Sequence, residues 1–368
     1  MKKVMLVFGT RPEAIKMCPV VKELKKRPQL QTVVCVTGQH REMLHQVLDC
    51  FGVQPDYDLD LMQSGQTLFD LTERILRGLR TVYEAEKPDI VLVHGDTTTA
   101  FVGALAAFYM GIAVGHVEAG LRTYDIHAPY PEEFNRQAVG SIAELHFAPT
   151  PAARENLLRE GKKADHIFVT GNTSIDALQS TVRADYHHPE LDKVGTRRLV
   201  LLTAHRRENL GEPLYAIFRA IRRVLQEHPD IEILYPVHPN PAVQRAARDV
   251  LGEESRVRLI APLDVLDFHN FMARADLILT DSGGIQEEAP ALGKPVLVLR
   301  TTTERPEGVQ AGTLKLVGTQ EDDVYRAFTQ MLDDPAEYAR MAHAANPYGD
   351  GKASCRIADI LCEQEKEL

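Results

Sequence analysis

Residues 4–17 read VMLVFGTRPEAIKM. The run VMLVF (4–8) is apolar without alternation, the pattern of a strand covered on both faces. A glycine turn follows, and then a helical period through Ile15, Val20, Val21 and Leu24. The order recurs outward from here. TVVCV (32–36) precedes REMLHQVLDCF. An amphipathic helix over 67–86 breaks at Pro88 before DIVLV (89–93). HGDTTTA opens the helix FVGALAAFYMG, and IAVGHV (112–117), LHFAP and HIFVTG add strands. Strand and helix in alternation specify an α/β fold, a parallel sheet with helices on both faces.

The rhythm pauses at 183–196, RADYHHPELDKVGT, which is polar and carries proline. It restarts with RLVLLT, a helix over 213–227, IEILYPV, a helix over 241–251, VRLIAP, a helix near 264–274, DLILT and PVLVL. At 368 residues two domains fit better than one core. The expected architecture is two Rossmann-like doubly wound domains, 1–182 and 197–350, with 183–196 as linker and a cleft between them. The amphipathic helix within 351–368 could cross back onto the first domain.

Lys and Arg number 42 against 52 Asp and Glu, a net charge of −10, which argues against a general nucleic-acid partner. No run approaches a membrane span, and MKKVMLVFGTRP lacks a signal-peptide pattern. The five cysteines show no CxxC spacing and read as reduced thiols of a cytoplasmic protein. The fourteen histidines form no HExxH or HxxxH pair, so no metal site is expected.

Several strands end in glycine and a polar cluster: GTRPE, TGQHRE, HGDTTT, GHVEAG and TGNTS. Such turns put backbone N–H groups and helix N-termini at the carboxyl edge of a sheet, where α/β proteins bind anions and nucleotides. None is GxGxxG or GxxxxGK[ST], so neither a dinucleotide fingerprint nor a Walker loop is present. Arg11 and Lys16 can both point back toward the strand ends. Asp96 suits two roles, cap of the helix beginning at Thr97 or catalytic carboxylate. HVEAGLRTYDIHAPYPEEFNR (116–136) packs Glu118, Glu132, Glu133, Arg122 and Arg136 into one loop, which reads as a site rather than a solvated surface.

In the second half, TAHRREN (203–209) puts His205, Arg206 and Arg207 directly after a strand, suited to a diphosphate or carboxylate. DSGGIQEEAPALG follows the strand DLILT. Ser282 and the amides of Gly283 and Gly284 can grip phosphate oxygens, and Glu288 can hold ribose hydroxyls. Phe268 reads either as core or as a base-stacking platform. Arg305 in TTTERPEG reads as a phosphate ligand or a partner of Glu304 or Glu307. His238 in PVHPNP reads first as a loop histidine.

Together FGTRPEAIKM, TGQHREML, HGDTTTA, GHVEAGLRT, PYPEEFNR, TAHRREN, PVHPNP, DSGGIQEE and TTTERPEG, spread from residue 8 to 308, resemble the non-hydrolysing bacterial UDP-N-acetylglucosamine 2-epimerases. The resemblance implies the two-domain GT-B-like architecture, a UDP-sugar substrate, a homodimer, and C2 epimerisation of UDP-GlcNAc to UDP-ManNAc with no cofactor. It implies elimination of UDP through a 2-acetamidoglucal, and a supply of ManNAc-type sugars for cell-surface polysaccharide. By the same resemblance Asp96, Glu118 and Glu132 are the acid/base set and His205 assists the diphosphate. Arg11, Lys16, Ser282, Gly283, Gly284 and Arg305 are ligands to UDP or its diphosphate. Phe268 and the Leu263 backbone meet the uracil, and Glu288 holds the ribose. Some members carry a second, activating UDP-GlcNAc, and Gln39, Glu132, Arg206 and His238 match that site. Glu42 and Gly65 depart from it, standing where glutamine and arginine are expected. Weakened or altered activation is the expectation, read from the shape of a substrate-saturation curve; strong sigmoidicity with no turnover of UDP-ManNAc alone would sink it. The competing readings are 2-epimerisation of a related UDP-acetamido sugar, a glycosyltransferase of the same architecture, a hydrolysing relative and a nucleotide-sugar sensor.

Overall fold

The computed structural model describes residues 1–38, 41–61, 63 and 65–363. It divides into two compact units, Met1–Ser180 with Tyr348–Leu368, and Thr181–Pro347.

The first unit holds a seven-stranded sheet. Its strands are β1 (Lys2–Phe8), β2 (Leu30–Val36), β3 (Tyr57–Asp58), β4 (Ile90–His94), β5 (Ala113–Val117), β6 (Leu145–Ala148) and β7 (Ile167–Val169), in the order β3-β2-β1-β4-β5-β6-β7. All pairings are parallel, with Val4 of β1 opposite Thr32 and Ile90. β1 and β4 are buried on both faces, which is why their sequences run apolar without alternation. The helix Leu68–Glu86 lays Leu71, Ile75, Leu79 and Val82 on the sheet at helical spacing. Thr67 caps it and Asp70 reciprocates.

A second capping box, Thr10 with Glu13, starts the helix Arg11–Lys25 after β1. Glu13 is buried, and its carboxylate accepts from the Gly9 and Thr10 N–H groups at 3.0 and 2.8 Å and from the Thr97 hydroxyl at 2.7 Å. Burial raises its pKa, against the pull of these hydrogen bonds. One carboxylate thus ties the loop after β1 to the loop after β4. The Thr-x-x-Glu spacing was available in the sequence as a helix-start signal.

The second unit holds β8 (Arg198–Thr203), β9 (Ile231–Pro236), β10 (Val257–Ile260), β11 (Leu277–Thr280), β12 (Val296–Val298) and β13 (Leu314–Leu316), ordered β10-β9-β8-β11-β12-β13 and parallel throughout. Leu202, Ile217, Phe218, Val224, Tyr235 and Phe328 lie in its core.

Two stretches are placed differently from expectation. Residues 183–196, expected as linker, are folded into the second unit. Leu191 and Val194 are buried, the Tyr186 hydroxyl donates to Asp267 at 2.5 Å, and Arg183 N–H donates to Asn270 at 2.9 Å. Polarity hid two buried apolar anchors. The return to the first unit begins at Tyr348 rather than 351. Asn172 N–H donates to Tyr348 O at 2.7 Å, and Asp176 accepts from Ser354 N–H at 2.7 Å. The final helix, Ala353–Glu363, packs on Arg11–Lys25. The edge strands β3 and β13, two and three residues long, were not anticipated; so short a run carries no periodicity.

No helix among the described residues is long and apolar enough to cross a membrane.

Candidate active site

In the first unit the strand order reverses between β1 and β4, the point at which doubly wound sheets open a crevice at their carboxyl edge. The expected residues gather around it. Arg11 begins the helix after β1 and Lys16 lies five residues further along. Asp96 follows β4, and Glu118 follows β5 directly.

Glu118 sits at φ +63°, in the left-handed region. That costs a residue with a side chain roughly 1–2 kcal/mol and persists only where the surroundings impose it. Three side chains meet its carboxylate. Lys16 Nζ donates to Glu118 Oε2, Asn172 Nδ2 donates to the same oxygen at 3.3 Å, and His94 Nε2 lies 3.7 Å from it.

Asp96 does not cap the following helix, contrary to one of its two expected roles. Thr97 is the cap, its hydroxyl accepting from Ala100 N–H at 3.0 Å. The Asp96 carboxylate instead meets the Arg136 guanidinium, and the Asp96 carbonyl accepts from Asn135 Nδ2 at 2.9 Å. Burial raises the Asp96 pKa; Arg136 opposes that and neighbouring Glu118 adds to it. Each carboxylate disfavours ionisation of the other, while Arg136 and Lys16 favour it.

Glu132 and Glu133 open the helix Glu132–Ile142. Glu133 is fully buried. It accepts from the N–H groups of Thr123 and Tyr124 at 3.0 Å each and from Gln137 Nε2 at 2.8 Å. Its work is to hold the loop between β5 and this helix. Glu132, on the same turn, is partly exposed. The Asn135 and Arg136 contacts bring this helix start to the Asp96 loop.

The second unit repeats the arrangement, its order reversing between β8 and β11. His205 and Arg206 follow β8; Ser282, Gly283 and Gly284 follow β11. Ser282 precedes the short helix Gly283–Glu288 and spends no side-chain bond on capping it. Arg305 Nε donates to Glu287 Oε1 at 2.8 Å, and its Nη1 lies 3.7 Å from Glu304 Oε2, so the expected pairing with Glu304 stands beside a closer one to Glu287. A Cβ at Gly283 would lie 3.0 Å from that guanidinium, so the glycine lets Arg305 lie against the start of the short helix. Glu288 ends this helix, its Oε2 3.7 Å from His269 Nε2, while His269 Nδ1 pairs with the Thr181 hydroxyl at 2.7 Å. Leu263 and Phe268 are partly exposed near the start of the helix Val265–Arg274, whereas Phe271, one turn on, is core. His238 is exposed and stacks on His205, centroids 5.0 Å apart and planes at 9°. Arg206 Nη1 is 3.6 Å from Glu304. Gln39 lies outside the described residues.

Sequence reasoning gave no role to Asn172, His94, Asp281, Glu287 or Arg136, although all lie inside the quoted motifs TGNTS, HGDTTT, DSGGIQEE and PYPEEFNR. Their partners come from other strands, so spacing along the chain could not pair them. Among the described residues no three His, Cys, Asp or Glu side chains converge as a metal-holding group.

The family model described as UDP-N-acetylglucosamine 2-epimerase matches residues 22–362. The chain belongs to the UDP-N-acetylglucosamine 2-epimerase family. It is 62% identical over 359 residues to the UDP-N-acetylglucosamine 2-epimerase of Bacillus subtilis strain 168, covering 98% of this chain and 94% of that protein. Among solved structures, the S. aureus MnaA–UDP co-structure is similar with a TM-score of 0.89 and 53% identity, covering 100% of this chain and 98% of that one. The Neisseria meningitidis UDP-GlcNAc 2-epimerase bound to UDP-GlcNAc matches with a TM-score of 0.88 and 47% identity, over 98% and 100% of the two chains. The two parallel sheets with their helices are the GT-B-like α/β fold of this epimerase family.

Three histidines of the first unit make its stability depend on pH. His94, His116 and His146 lie on adjacent strands and are buried. Burial pushes their pKa values down to about 4, about 3 and about 4. In an unfolded chain they titrate near ~6.5. Between those values the unfolded chain binds more protons than the folded one, so stability rises with pH there and is lost as pH falls from about 6.5 toward 4. The urea midpoint is expected to fall steadily between pH 7 and pH 4.5. His146→Gln should flatten the dependence by about 1.4 kcal/mol per pH unit, one proton's worth. An unchanged slope would mean that His146 is protonated in the folded protein.

Proposed function

We propose that this protein interconverts UDP-N-acetylglucosamine and UDP-N-acetylmannosamine by eliminating and re-adding UDP. The observation that carries the reading is the pair of carboxylates at the strand ends, Asp96 on Arg136 and Glu118 on Lys16, in a chain of this family.

The C2 proton of the sugar is not acidified by an adjacent carbonyl, so direct abstraction is slow. Elimination avoids this. A carboxylate takes the C2 proton while the C1–oxygen bond breaks, and the electron pair leaves with the diphosphate. The C2–H electrons form the C1–C2 double bond of a 2-acetamidoglucal. A protonated carboxyl then delivers a proton to the opposite face of C2, and UDP rebonds at C1. The reaction needs one carboxylate ionised and one protonated at neighbouring positions, and the raised pKa of Asp96 beside Glu118 supports that division. The departing diphosphate gains negative charge, which His205, Arg305, Ser282 and the glycine amides of residues 283 and 284 are suited to meet. Glu132 completes the acid/base set. Phe268 and Leu263 are the proposed contacts to uracil, and Glu288 to the ribose. The product class, a UDP-linked N-acetylmannosamine, suits assembly of cell-surface polysaccharide.

Incubation with UDP-N-acetylglucosamine in D2O tests the reading by proton NMR. UDP-N-acetylmannosamine should accumulate with loss of the C2 proton signal and little free sugar. Free N-acetylmannosamine would move the chain to a hydrolysing activity. Absence of C2 exchange in protein that binds UDP would reject the proposal in favour of another UDP-sugar or a transferase.

A further inference from the structure

Asp281, the residue before Ser282, is fully buried and uses its two carboxylate oxygens differently. Oδ2 accepts from His205 N–H at 2.8 Å, Arg206 N–H at 2.9 Å and Asn209 Nδ2 at 2.9 Å. That oxygen is saturated, and it pins the backbone of the loop after β8. Oδ1 has no hydrogen-bond partner among the described residues, and it lies 3.7 Å from His205 Nδ1. Burying a carboxylate oxygen without a donor costs free energy of order 1–3 kcal/mol or more. A capping role would be served equally by a neutral amide, so it does not explain the charge at this position.

We propose that Asp281 is the positioning residue for His205: its Oδ1 accepts Nδ1–H, fixes the tautomer of the ring, and stabilises the imidazolium that meets the diphosphate. The proposal rests on the reading of His205 as a diphosphate group. The 3.7 Å separation must close by roughly 1 Å, and such bonds commonly tighten when the substrate's charge arrives. The ring stacks on His238, with the two planes at 9°. Burial holds the His205 ring below the usual imidazole range, with His238 and Arg206 adding to that; Asp281 is the neighbour that favours its charged form. With Nδ1 committed to Asp281, Nε2 is the nitrogen that exchanges a proton, as in other carboxylate–histidine pairs.

Asp281→Asn separates this role from the structural one. The amide oxygen can take the three N–H donors of Oδ2, and the amide nitrogen then presents a donor to Nδ1. The loop is kept and the preference of the ring is reversed. In the full-length protein labelled with 15N-histidine, the His205 ring should carry its proton on Nδ1 in the parent and on Nε2 in D281N. UDP affinity, measured by calorimetry, should fall roughly 10-fold or more in D281N, in the range typical of lost orienting partners. In the His205→Gln background the same substitution should change UDP affinity by less than about 2-fold. An Nε2–H tautomer in the parent, or an equal loss from D281N with and without His205, would overturn the proposal and leave Asp281 as a loop clamp. If D281N does not fold, the parent spectrum alone decides. If His205→Gln leaves UDP affinity unchanged, the diphosphate reading of His205 fails, and with it the imidazolium role. The parent tautomer then still reports whether Asp281 orients the ring.

Discussion

Glu118→Gln is expected to abolish most of the C2 exchange, by roughly 10²–10⁴-fold, the range for a removed general acid or base. The amide is nearly isosteric and can still accept from Asn172, but it cannot take up the C2 proton or return one. It also removes the negative charge that Lys16 meets at Glu118. Both side chains retain some exposure, 12% and 17%, so water moderates the loss, and a melting temperature within a few degrees of the parent is expected. The fall should appear in kcat while UDP affinity changes little, because the interaction removed is one used in the reaction step. The strained backbone at φ +63° supports this order of effects. A carboxylate placed only to pair with Lys16 would gain nothing from a left-handed residue at a strand end. Exchange in E118Q within 10-fold of the parent would reduce Glu118 to a structural partner of Lys16.

Gly120→Ala is expected to be the most damaging small substitution, through the fold rather than the chemistry. Gly120 has φ +89°. A Cβ there would lie 2.2 Å from Ala153 O, 2.8 Å from Ala153 C and 3.0 Å from Leu157 Cγ. The first two are backbone atoms of the helix Pro151–Arg159, so no rotamer relieves the contact; the helix must move. That helix packs through Ala153 and Leu157 on Ala119, Ala148 and Ile167, and Asn156 Nδ2 holds Gly120 O at 3.0 Å. Displacing it should cost about 3–5 kcal/mol, the upper end of overpacking effects plus the left-handed penalty. The melting temperature should drop by about 10 °C. Gly161→Ala is the control: φ is +76° but nothing lies within 4 Å of its added Cβ, so only the backbone term of about 1–2 kcal/mol applies. Thermal unfolding of the two variants side by side measures the difference. Equal losses would show that the clash at Gly120 is relieved without cost.

These two positions lie two residues apart in the same loop and were unequally legible. The glutamate was singled out because carboxylates and arginines crowd the motif it belongs to. The glycine carried no signal of its own, since its constraint comes from a helix more than thirty residues later in the chain.

What the sequence determined by itself was the alternation of buried parallel strands and covering helices, and with it two α/β units of this family. That information is local: apolar runs set the strands, 3.6-residue periodicity sets the helices, and glycine and proline set the turns. The motifs also named most candidate residues, because each sits at a strand end within one turn of its neighbours. Only the tertiary structure decided the partners. It gave Asp96 to Arg136 and the helix cap to Thr97, Glu133 to the loop, and Arg305 to Glu287. It also folded 183–196 into the second unit and placed an open oxygen of Asp281 near His205. Each of these rests on which strand lies beside which, and on distances of a few ångströms between side chains of different loops. Pairwise charge and hydrogen-bond energies fall off over that length, and periodicity along the chain does not encode it.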